Sequence, residues 1–195
     1  MKWLSEKLTD YVINTGAVSK ELYAVYQYGF QIGLEMLSCL LVCLIISIYL
    51  HIIPEFIIFS AIFMLLRTYA GGLHLNNFCI CFVCSIIVQL VASFICTKYQ
   101  FQAVTAWMII GVSSVLIYRF SPVDSITRKL DRDEKGHCKN ATFKVLIGIL
   151  LFAGCCTFGH SYEILTLIAI TNLIVIVSQC LGIIKFKMYK KHVDI

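Results

Sequence analysis

Six apolar runs, at about 33–51, 54–66, 78–97, 102–119, 143–159 and 162–184, decide most of what this 195-residue chain can become. The hydrocarbon core of a bilayer is about 30 Å thick, which a helix crosses in about 20 residues. Within it every backbone N–H and C=O must be satisfied inside the segment, so such runs fold as helices. Only 14% of the residues are charged against 59% hydrophobic, and the mean hydropathy is +0.86. A soluble domain carries nearer a quarter of its residues as charges. The predicted fold class is therefore all-α: a polytopic membrane helical bundle of about six transmembrane helices. The second run has only thirteen residues, which predicts tilt, local thinning of the bilayer or a partly re-entrant path. A four-span arrangement, in which that run and one other do not cross, is the alternative.

Residues 2–14 read as an amphipathic helix, with Trp3, Leu4, Leu8, Tyr11 and Val12 on one face and Lys2, Glu6, Lys7 and Asp10 off it. Such a helix lies in the membrane interface rather than crossing it. The expected organisation is a single integral-membrane domain over 1–195: an amphipathic region to 32, the bundle over 33–184, and a basic tail over 185–195. No removable signal peptide is visible, because the first long apolar run begins near Leu34, behind a charged segment. With the N-terminus in the cytoplasm, six spans put fifteen of the sixteen Lys and Arg residues inside and leave Lys98 outside. That asymmetry follows the positive-inside rule and predicts a multi-pass protein of the bacterial cell membrane with both termini and the 67–81 loop cytoplasmic. The formal charge of +5 follows topology and does not argue for nucleic acid.

Chemistry concentrates at one junction, Arg67-Thr68-Tyr69-Ala70-Gly71-Gly72-Leu73-His74-Leu75-Asn76-Asn77-Phe78-Cys79-Ile80-Cys81. A thiol near a helix N-terminus, beside an imidazole, is drawn towards its thiolate. The imidazole can take the thiol proton and return it later. On one unbroken helix, residues seven apart share a face but stand about 10.5 Å apart along the axis. Contact between His74 and Cys81 therefore needs irregular backbone, which Gly71-Gly72 and Asn76-Asn77 tolerate. Ordinary readings stand beside this one. Cys79, Cys81 and Cys84 suit an apolar helix as inert thiols; Arg67 can snorkel to the surface; the glycine pair can be a tight connection. Chemistry alone does not choose among the three cysteines. Cys81 and Cys84 form a lone CxxC without a paired second one, so neither a metal nor any cofactor is expected.

These residues resemble the accessory gene regulator B (AgrB) family, whose pattern runs Arg, Gly-Gly, an aromatic or small residue, His, and Cys seven residues after the His. The resemblance selects His74 and Cys81. Ser121-Pro122-Val123-Asp124 is similar to a second family segment, usually Ala-Pro-Val followed by an acid. Leu73 stands where aromatics are frequent, and Asn76-Asn77-Phe78 where a Ser/Thr-Pro turn is usual. The resemblance implies a thiol protease and peptide cyclase of quorum sensing and virulence regulation. It would act on an AgrD-like precursor peptide, cutting off its C-terminal tail and closing the remainder into a thiolactone or lactone. Cys81 and His74 would be the catalytic residues. Arg67, Gly71, Gly72, Asn76 and Asp124 are candidates for substrate binding or transition-state support: Arg67 for carboxylates, Asn76 and the Gly72 amide as oxyanion donors, Asp124 for orienting His74. A homodimer and contacts with membrane lipid belong to the same expectation. Asp131-Arg132-Asp133-Glu134-Lys135 reads as a solvated loop face. The rival readings are a small transporter, with Gln89, Asn172 and Gln179 lining a path, and a membrane scaffold without covalent chemistry.

Overall fold

A computed structural model describes residues 2–16, 19–72, 78–123 and 131–193, with side chains except at Lys20, Phe78, Cys79, Cys81 and 189–193. These residues form seven α-helices: Lys2–Asn14 (α1), Tyr23–Tyr49 (α2), Ile53–Ala70 (α3), Phe78–Lys98 (α4), Ala103–Phe120 (α5), Arg132–Phe158 (α6) and Tyr162–Val193 (α7). Five of them, α2, α3, α5, α6 and α7, are long and apolar enough to cross a membrane. All six predicted apolar runs are helical, and the protein is an all-α membrane bundle.

Two expectations are corrected. The second run is not short: α3 has 18 residues and continues through Arg67, Thr68 and Tyr69 to Ala70. At 1.5 Å per residue it is about 27 Å long, close to the hydrocarbon thickness. A cation in the last turn extends a helix rather than ending it, because the helix C-terminus is partially negative. Residues 131–135 are not a loop either. Asp131 is the N-cap of α6, and its backbone N–H donates to the Glu134 carboxylate at 3.2 Å, half of a capping box. The charges are solvated, but on the first turn of a helix that begins eleven residues before the apolar run.

Helix α7 stands at the centre, packed against α3, α4, α5 and α6. From Leu165 to Asn172 every residue is buried, which explains its all-round apolar sequence. Ala106, Ala153 and Ala169 are fully buried in the main core, and side chains this small let helix backbones approach closely. A second cluster joins Phe59 of α3, Ala92 and Cys96 of α4, and Leu167 and Ile170 of α7. Polar cross-links tie the remaining contacts: the Phe101 N–H donates to Thr166 Oγ1 at 2.9 Å, and Trp107 Nε1 to Thr157 Oγ1 at 3.0 Å. Helix α2 is peripheral, with only Cys43 and Ser47 buried. Gly29 and Gly33 on it face open space. Helix α1 docks on α2 through fully buried Ser5 and Thr9, and Gln27 Nε2 donates to Glu6 at 3.2 Å. Trp3 and Tyr11 remain 65% and 69% exposed.

Candidate active site

Of the candidate residues, Arg67, Gly71 and Gly72 are described, and they stand at the end of α3 against the segment that follows α5 and against α7. Arg67 occupies the last turn of α3. Its Nη1 donates to Ser178 Oγ of α7 at 2.7 Å, and its guanidinium carbon lies 5.8 Å from the Phe63 ring centroid. Arg67 is thus fitted against α7 and does not simply snorkel. After Ala70 the chain turns at Gly71, with φ 78°. A Cβ there would lie 2.9 Å from the Val123 carbonyl oxygen and 3.1 Å from its nitrogen. At Gly72, with φ 157°, it would lie 2.7 Å from Ser178 Oγ and 3.1 Å from Arg67 Nη1. Glycine is required at Gly71 by conformation and at Gly72 by the closeness of a neighbour. The irregular backbone expected after Ala70 is present at these two residues.

The Ser-Pro-Val segment comes to the same place. The Val123 N–H donates to the Ala70 carbonyl at 3.1 Å, and the Ser121 N–H to the Ile117 carbonyl at 3.0 Å. Ser121 Oγ and Thr142 Oγ1 are 3.0 Å apart, joining the segment to α6. Two stretches of sequence some fifty residues apart therefore form one surface. Gln179, fully buried on α7, spans it: Nε2 donates to the Ala70 carbonyl at 3.2 Å and reaches the Ile117 carbonyl at 3.5 Å. Sequence reasoning set Gln179 on a possible transport path, whereas its amide nitrogen is committed to two helix ends. Asn172 is also fully buried. Ser178 was missed altogether, since a lone serine in an apolar run gives no signal of its own.

Cys81 lies on α4, three residues after Phe78, the first described residue of that helix. Its side chain, and all of His74, Asn76 and Asp124, lie outside the described residues. So does the backbone over 73–77, where the rest of the predicted bend falls. Among the described residues no group of three or more His, Cys, Asp or Glu is placed to hold a metal ion.

A family model described as Accessory gene regulator B matches residues 5–183. A protein named AgrB-like from Clostridium acetobutylicum is 27% identical over 154 residues, covering 73% of each chain. One of the same name from Listeria monocytogenes serotype 4a is 25% identical over 180 residues, 90% of this chain and 86% of its own. Another, from serovar 1/2a of that species, is 24% identical over 194 residues, 97% and 92% of the two chains. No solved structure gives a significant match. The match runs from α1 into α7 and takes in both motif segments. The chain belongs to the accessory gene regulator B family and is a multi-pass membrane protein of agr quorum-sensing peptide processing.

Proposed function

We propose that this protein is a membrane cysteine endopeptidase that removes the C-terminal tail of an AgrD-type precursor and cyclises what remains. The observation that carries the reading is the family match over 5–183, which includes His74 and the cysteine seven residues beyond it. A thiolate on Cys81 would sit at a helix N-terminus, which carries about half a positive charge.

The chemistry closes without a cofactor. His74 takes the Cys81 proton, and the thiolate attacks the scissile carbonyl. The C–S bond forms, the peptide C–N bond breaks, and the imidazolium protonates the departing amine. A Cys thiol or Ser hydroxyl of the precursor then gives its proton to His74 and attacks the acyl-enzyme. The ring closes, and Cys81 leaves as the thiolate. With an attacking Cys, one thioester replaces another and the second step is close to balanced. The first step, from amide to thioester, is uphill and needs removal of the tail or the product to draw it forward. Water must be kept from the acyl-enzyme meanwhile, which a site at the membrane edge favours. Asn76 and the Gly72 amide serve as oxyanion donors, Arg67 holds a carboxylate or the peptide backbone, and Asp124 orients His74. With both termini and this loop cytoplasmic, the basic face attracts an acidic tail, and α1 offers an interfacial surface to an amphipathic leader.

The test is mass spectrometry of purified protein in lipid, incubated with an AgrD-type precursor peptide. Cys81→Ala and His74→Ala should each abolish tail release, while Cys79→Ala and Cys84→Ala keep most of it. A dead Cys79→Ala variant with an active Cys81→Ala variant would move the nucleophile. Unimpaired processing by Cys81→Ala would remove covalent catalysis from the account.

A further inference from the structure

Ser178 and Gln179 belong to neither motif, yet they touch both. A buried carboxamide within an apolar helix is costly unless its hydrogen bonds serve a purpose. Here the Gln179 amide nitrogen caps the Ala70 carbonyl, which as the last carbonyl of α3 has no donor within its own helix. The same carbonyl receives the Val123 N–H. One atom therefore joins α3, α7 and the Ser-Pro-Val segment, directly before Gly71. One residue along α7, Ser178 accepts from Arg67 and stands where a Gly72 side chain would be. Lower on the same helix, Leu167 and Ile170 pack against Ala92 and Cys96 of α4. Helix α7 thus holds both the exit from α3 and the helix that carries Cys81.

We propose that Ser178 and Gln179 are positioning residues for peptide processing: Gln179 holds the last carbonyl of α3 and Ser178 holds Arg67 and stands against Gly72, so that together they fix the root of the connection that carries His74 and thereby govern its reaction with Cys81. The proposal rests on reading Cys81 and His74 as the reacting pair. Reaction between two groups held in place is sensitive to displacements of about 1 Å, and a short connection between α3 and α4 passes an error at its root on to the imidazole.

The test uses the full chain in lipid nanodiscs with the other nine cysteines replaced by alanine, and N-ethylmaleimide as the probe of Cys81 at neutral pH. Gln179→Met keeps the volume and removes the donor. Ser178→Ala removes the hydroxyl, and Ser178→Thr restores it. The alkylation rate should fall about fivefold or more in the first two variants, as thiolate character is lost, and return in the third. In the cysteine-complete protein, Gln179→Met should lower kcat for tail cleavage while KM stays near the parent value. An unchanged rate overturns the proposal. So does a faster one, because a merely loosened bundle exposes the thiol. His74→Ala in the same background separates the two claims: if the parent reacts no faster than this variant, the reacting pair itself is wrong and the proposal falls with it. Should Gln179→Met fail to fold, the half-buried Ser178 position decides alone.

Discussion

At Gly71 two demands meet, a φ of 78° and a Val123 carbonyl oxygen 2.9 Å from where a Cβ would be. With ψ −170° this conformation is essentially confined to glycine, and an L-residue held there costs about 1–3 kcal/mol. The obstacle is backbone, which cannot swing aside as the end of a flexible side chain can. Gly71→Ala should therefore lower stability by about 1–3 kcal/mol or more, read by thermal unfolding in a fixed lipid composition. Tail cleavage should fall with it. The turn was legible in the sequence because paired glycines after an apolar run announce one. Its partner was not, because nothing in residues 67–72 points to Val123.

The helix ends carry the next set of consequences. The α2–α3 and α6–α7 connections use the same device: His51 and His160 each take a left-handed conformation, with φ 57° and 56°. In each, the next residue's N–H reaches back to close the helix, Ile52 to Ser47 and Ser161 to Cys156, both near 3.0 Å. This is a Schellman ending with His where Gly is usual. His51→Gly and His160→Gly should each stabilise the protein by about 1 kcal/mol, measured as a rise in unfolding temperature. A fall at His160 would credit its Nδ1 contact with the Tyr162 hydroxyl at 3.2 Å. The start of α6 was also within reach of sequence reasoning, since Asp131-x-x-Glu134 is a capping-box pattern. Charge density around it favoured the loop reading, yet charges on the solvated turn of a protruding helix cost nothing. The second span was misjudged for a related reason. Hydropathy stops at Arg67, but the hydrogen-bonded helix continues while its cation finds Ser178 and the Phe63 ring.

For the whole molecule the open variable is orientation, which the distribution of Lys and Arg predicts. In a variant stripped of native thiols, Gln100→Cys between α4 and α5 should be labelled by an impermeant maleimide in intact cells. Lys187→Cys near the end of α7 should react only after permeabilisation. The reverse pattern would place the Arg67 junction on the outer face and separate it from a precursor made in the cytoplasm. Both positions are exposed, so access and not burial sets the result.

Sequence alone determined the class of fold, the course of the apolar segments, the family, and the residues on which the chemistry is staked. Each of these depends on local pattern: apolar length against bilayer thickness, and a His–Cys spacing within one junction. Only the tertiary structure decided that α7 is the central helix and that Ser121–Val123 meets Gly71. It also decided that Ser178 and Gln179 bind the ends of α3 and α5. The hydrogen bonds in those contacts join residues from 53 to 111 positions apart, and their partners are chosen by helix packing geometry, which no local pattern encodes.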